Sequence, residues 1–156
     1  MRLFADREAV EQELADLQGT LGQRLGLVSL AVPLISNLDV WRNIAKIYQH
    51  HREASQKDAQ AFVMQGLRRF GLERIADQRN PMLSEEERFC VKVLRAAMVA
   101  EAFIVIDRPF TMLHSLHDTS FIYESLGKVE DLFLRCDILD YVREKNRYGM
   151  IHDAEE

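Results

Sequence analysis

Leu83-Ser84-Glu85-Glu86-Glu87-Arg88 and, further on, Ala102-Phe103-Ile104-Val105-Ile106-Asp107-Arg108-Pro109-Phe110 decide how this chain is read. Ser84 stands where a helix N-cap belongs, and Glu87 follows three residues later. The serine hydroxyl can take one free backbone N–H and the glutamate carboxylate another, a capping box. Glu85 and Glu86 suit the positive end of the helix dipole. The spacing predicts a helix from Glu85 to Ala100. Ala102 to Ile106 is a short apolar run closed by Asp107 and Pro109, the pattern of a strand buried on both faces.

Outward from this pair, the same patterns repeat. Val10, Leu14, Leu17 and Leu21 recur at helical spacing, which predicts a helix over Arg7 to Gln23. Leu25 to Val32 is apolar, of strand length and ended by Pro33, so it reads as a mostly buried strand. Asn37-Leu38-Asp39 is a turn into a helix that Asp39 can cap, with Val40, Ile44 and Ile47 as its stripe. Gln56 to Phe70 is a further amphipathic helix, ended by Gly71. Arg79-Asn80-Pro81 is a turn, and Ser120 to Leu134 reads as another helix. Ile138 to Val142 is either a last strand or a continuation of that helix, and the tail Asp153-Ala154-Glu155-Glu156 reads as frayed. Strands alternating with helices imply an α/β sheet. The reading is one helix-rich domain over 1–156, its helical subdomain at about 39–100 and its α/β core at about 7–35 and about 101–150.

Bulk properties narrow the function classes. The 156 residues suffice for one domain with a real core, and 47% apolar with 29% charged residues is a globular balance. The formal charge of −5 leaves no basic surplus for nucleic acid or anionic lipid. No apolar run reaches the ~18 residues that span a bilayer, and no signal peptide is visible. Cys90 and Cys136 form no CxxC pair. A cytoplasmic location follows, at most peripheral to a membrane's inner face. Cys90 reads as core. His50 and His51 are adjacent on a helix end, so they point apart and read as solvated. His114 and His117 share a loop with Asp118 but have no second ligand cluster. No metal site is expected.

The two opening stretches resemble the signature helix and Walker B strand of ABC-type ATPases. That family's pattern is L-S-G-G-Q/E-R-x-R-V-x-I-A-R-A-L, then an apolar run ending D-E-P. The resemblance covers Leu25 to Leu113 and is strongest from Leu83 onward. Upstream, Leu34-Ile35-Ser36-Asn37-Leu38-Asp39-Val40-Trp41-Arg42-Asn43-Ile44 is similar to the family phrase L-x-x-L-T-V-x-E-N-I, which puts Leu30 at the Q-loop glutamine. The implied fold is a partial P-loop NTPase sheet with a helical subdomain.

The departures from the family pattern are selective. Leu30 cannot reach magnesium or an attacking water. Glu85 and Glu86 replace the signature glycines and bring two carboxylates toward a polyanion, each costing about 1–4 kcal/mol at ~4 Å. Ser84, Glu87, Arg88, Val91, Val93, Arg95 and Ala96 keep to the pattern. Asp107 matches the Walker B aspartate, but Arg108 replaces the glutamate that polarises water, and a guanidinium is no general base. His114 stands at the D-loop aspartate. The switch histidine has only His152 and the Asp140-Tyr141 region as candidates. No G-x-x-x-x-G-K-[ST] occurs in the sequence, and Gly19, Gly22 and Gly26 form no phosphate loop.

On the resemblance, the chain starts after the family's P-loop strand and helix, leaving a sheet edge open to self-pairing or partner pairing. It implies no bound ATP or magnesium and no catalytic residue. The expected function is a non-catalytic structural or regulatory subunit associated with an ABC transporter; the other reading is part of an active ATPase whose P-loop lies on another chain. Partners would be proteins, including membrane subunits or a second copy. Pro33, Leu34, Trp41 and Tyr48 mark the region where the family receives a membrane subunit, although Trp41 and Tyr48 also read as core packing.

Overall fold

Residues 1–149 are described in the computed structural model. Four strands, β1 (Arg2–Phe4), β2 (Leu25–Val28), β3 (Ala102–Asp107) and β4 (Phe133–Tyr141), form one sheet in the order β1-β4-β3-β2. All three pairings are parallel, so every connection must cross over and every strand ends at the same edge. β3 is central because it is apolar on both faces: Ile104, Val105 and Ile106 are fully buried.

The crossovers are helices. α1 (Arg7–Leu21) links β1 to β2; it starts on the Asp6 carboxylate, which accepts from Ala9 N at 2.9 Å, and stops at Gly22, whose φ is +54°. α2 (Val40–Arg52), α3 (Gln56–Arg69) and α4 (Glu85–Ala97) lie between β2 and β3, and α5 (Ser120–Gly127) between β3 and β4. α4 is the hinge of the architecture. Residues Phe89 to Ala97 are all buried, with the sheet on one side and α2 and α3 on the other. Gly26 in β2 lets this helix come close, since a Cβ there would stand 2.6 Å from the Ala96 carbonyl oxygen.

The capped helix and buried strand are where the sequence places them, although α4 ends at Ala97, before the predicted Ala100. Four expectations are corrected. The chain does not begin past a first strand and helix: β1 pairs with β4, so that edge of β4 is covered. Apolar Leu25 to Val32 is strand only to Val28; Leu30, Ala31, Val32 and Pro33 are exposed. The helix from Ser120 stops at Gly127, and β4 begins at Phe133, because Arg69 ties the intervening turn through the Lys128 carbonyl at 3.2 Å and Asp131 at 2.5 Å. Asp39 sits at the N-cap of α2 without capping it; its carboxylate pairs with Arg42 and with Arg79. Among the described residues no helix is long and apolar enough to cross a membrane.

Candidate functional site

Parallel strands gather their ends at one edge, where α/β sheets hold ligands. Asp107 closes β3 there and is 2% exposed. Its two oxygens are already engaged. Arg108 Nε donates to Oδ1 at 2.6 Å, Arg108 Nη2 to Oδ2 at 3.1 Å, and the Ser29 hydroxyl to Oδ2 at 2.6 Å. Arg108 Nη1 donates to the Tyr141 hydroxyl at 3.0 Å, from the end of β4. Bonds to Asp107, then to Tyr141, hold the guanidinium above its ordinary range, against the opposing effect of burial. Arg108 adopts φ +46°, a left-handed conformation that costs a non-glycine residue about 1 kcal/mol or more. The neighbouring Asp140 is 2% exposed; burial raises its carboxyl despite bonds from the Tyr148 hydroxyl at 2.7 Å and Tyr141 N at 2.8 Å.

β1, a turn and α1 complete this edge. A strand, a glycine-rich loop and a helix N-terminus are the parts of a phosphate site. Here only Ala5 and Asp6 separate Phe4 from Arg7, and Asp6 itself occupies the helix start. Asp107 is thus bonded to Arg108 and Ser29, and the start of α1 to Asp6.

A second cluster lies at the start of α4. The Glu87 carboxylate accepts from Ser84 N at 3.0 Å and from Arg74 at 2.8 Å, while Ser84 Oγ accepts from Glu87 N at 3.1 Å. Arg88 donates to the Asn80 side chain at 2.6 Å and to the Leu83 carbonyl at 2.9 Å. Glu85 reaches His114: the imidazole Nδ1 lies 2.7 Å from Oε1, and His114 N donates to Oε2 at 3.2 Å. The bond from the His114 side chain, with its backbone N–H adding, holds the Glu85 carboxyl below its usual range, against the opposing effect of burial. Glu86 is exposed. Leu30, Glu85 and His114, far apart in sequence, thus meet around one cleft of about 170 Å³, joined by Arg88, Phe89, Lys92, Thr111 and Met112.

The third region is α2. Trp41 is not an exposed anchor: it is 4% exposed, with the Arg42 guanidinium 4.5 Å over its ring. Leu34 is buried as well, and half-buried Tyr48 stacks on Phe62 at 4.5 Å. Pro33 remains exposed. Trp41 instead walls a groove of about 200 Å³ with Leu38, Arg42, Ala45, Lys46, Gln49 and Gln56. His50 and His51 do not point apart; their rings meet edge to face at 5.3 Å. Among the described residues no group of three or more His, Cys, Asp or Glu could hold a metal ion. Burial raises the Cys90 thiol to about 11 and that of Cys136 to about 12, so both are inert. His152 lies outside the described residues.

Several solved structures share this architecture. The ATP-binding cassette MJ0796, as a post-hydrolysis dimer bound to ADP and Pi, is 19% identical with a TM-score of 0.61, over 81% of this chain and 56% of that one. MJ0796 described as a dimeric bacterial ABC transporter cassette matches at 19% and 0.61, over 85% of this chain and 60% of that one. The ATP-binding subunit of an ABC transporter matches at 18% and 0.57, over 86% and 56% respectively. The fold is that of an ABC transporter ATP-binding cassette. This chain spans less than two thirds of the length of those cassettes. No protein-family model matches it, and no curated protein matches it.

Against the cassette fold, the residues that sequence reasoning missed are Asp6, Ser29 and Lys92; Tyr141, in the region named for the switch position, is the residue that meets Arg108. Lys92 carried a legible signal: it is a lysine inside the apolar run Phe89-Cys90-Val91-Lys92-Val93-Leu94.

Proposed function

We propose that this chain is a non-catalytic cassette-shaped subunit that works through protein contacts in an ABC transporter complex. The observation that carries the reading is the Asp107–Arg108 pair, in which an internal cation stands on the carboxylate that would face magnesium. The arginine also occupies the position of the water-polarising base and cannot accept a proton. Asp6 at the start of α1 acts in the same direction, by placing a negative charge where a phosphate would sit. The reading in which another chain supplies the P-loop is disfavoured by the covered edge of β4, where β1 and α1 already lie. Partner contact is assigned to the exposed loop at Pro33 and to the α2 groove walled by Trp41, with membrane subunits as the partner class; Leu34 and Tyr48 support that surface from beneath.

The test is turnover. Wild-type protein and the triple variant Glu85→Gly, Glu86→Gly, Arg108→Glu are assayed for phosphate release from Mg-ATP, alone and with the products of neighbouring reading frames. No turnover is expected from either protein alone, because the phosphate loop is still missing from the variant. Turnover by the wild-type chain overturns the non-catalytic reading; turnover by the variant alone shows that the defect lies in Glu85, Glu86 and Arg108.

A further inference from the structure

Lys92 is a buried cation in an unusual setting. The residue is 3% exposed, yet it forms part of the wall of the cleft between Leu30, Glu85 and His114. Its ammonium has three donors. One goes to the Ser29 carbonyl at 3.0 Å and a second points at Met112 Sδ, 4.0 Å away. Among the described residues it has no acidic partner and no acceptor for the third. Arg95, one turn on, differs: its donors go to the Val32 and Pro33 carbonyls at 2.7 and 3.0 Å, and it does not line the cleft. A buried charge without a counter-ion is expensive. An anion entering the cleft would remove that cost.

The other walls say what kind of anion fits. Leu30, Phe89 and Met112 are apolar, and Thr111 offers a hydroxyl. Arg88 sends its Nε and Nη2 donors to Asn80 and to the Leu83 carbonyl. Glu85 stands in the wall with both oxygens on His114. A phosphate dianion would meet that carboxylate and find few donors. A single carboxylate needs only one strong cation. Cavities of about 150 Å³ accept a benzene ring, and this cleft has about 170 Å³.

We propose that this cleft is a receptor for a small apolar monocarboxylate, with the carboxylate on Lys92 and the apolar body against Leu30, Phe89 and Met112. The inference does not rest on the nucleotide reading, and its probes contain no nucleotide. Burial, then Arg95 and Arg88, lower the Lys92 ammonium from 10.5 to about 8, so the receptor loses its charge as pH rises through that value. The charged or titratable groups around it are Arg88 and Arg95 on α4, Glu85 at the helix start and His114 after β3; Ser29, Thr111 and Met112 bring none.

The experiment is a titration of the full chain with benzoate, followed by amide and methyl NMR shifts. Saturable shifts confined to the cleft are expected at about pH 7, weakening by about pH 9.5. Lys92→Met keeps the stem packed and should bind at least about tenfold more weakly. Absence of saturable binding at about pH 7, or equal binding by Lys92→Met, overturns the proposal. If Lys92→Met fails to fold, the wild-type pH comparison decides: binding unchanged by about pH 9.5 overturns it. Inorganic phosphate is the second probe, and tighter binding of phosphate than of benzoate overturns the monocarboxylate assignment.

Discussion

The body of α4 and its first turn belong to one helix and obey different rules. From Phe89 to Ala97 every residue is buried between the sheet and the neighbouring helices. The first turn carries Glu85, Glu86 and Glu87; Glu86 is exposed, while Glu85 bonds His114 and Glu87 bonds Ser84 and Arg74. The same division runs through β3, whose apolar middle is fully buried and whose last residue, Asp107, is tied to Arg108 and Ser29. Positions that build the cassette fold are filled with side chains that pack. Positions at the edge, where such a fold would meet a ligand, are filled with side chains that satisfy one another. A fold is held by many small contacts and tolerates loss of its chemistry; a phosphate site depends on a few groups and does not.

This contrast can be broken, and the largest effect belongs to the body. Leu94→Ala should cost about 2–5 kcal/mol in urea unfolding, since Leu94 is fully buried against Gly66 of α3. A loss near zero would mean that the helix body is not the frame. Next is Arg108→Ala, which strands Asp107 with only the Ser29 hydroxyl and should cost about 2–3 kcal/mol. Arg108→Gly should lose about 0.5–1 kcal/mol less, because glycine accepts the +46° φ without strain. Equal losses would show that the backbone there is relaxed.

Lys92 gives a pH signature. Its ammonium titrates near 8 in the folded chain and at 10.5 when unfolded. Between those values the unfolded chain binds a proton that the folded chain has released, so this group makes stability rise with pH across that window. Lys92→Met should flatten the slope; an unchanged slope assigns it elsewhere. The helix start should matter least. Ser84→Ala should cost about 1 kcal/mol through the lost cap. Glu85→Gln loosens the half-buried contact with His114 and should lower the unfolding midpoint by less than Ser84→Ala does; a larger shift would make that contact part of the frame.

What the sequence made legible follows the same line. The capping box at Ser84 and the apolar run to Asp107 are local signals, and they placed α4 and β3. β1 was missed because three half-buried residues on a sheet edge carry no period. β4 was legible in part: the strand alternative at Ile138 to Val142 holds to Tyr141, but its start at Phe133 was missed because Asp137 and Asp140 are buried in it, paired to Arg2, Arg135 and Tyr148, partners remote from any local pattern. Leu30 to Val32 looked like strand, yet that segment is an exposed loop pinned by Lys92 and Arg95 from a distant helix. The meeting of Leu30, Glu85 and His114 was not legible, because each is remote in sequence from the other two and no local pattern joins them. The spent carboxylates of Asp107 and Asp6 required three dimensions.

Calorimetric titration of the purified chain with Mg-ATP tests the filled-in edge most directly. With Asp107 held by Arg108 and α1 capped by Asp6, no saturable heat is expected. Micromolar binding by the isolated chain would contradict it.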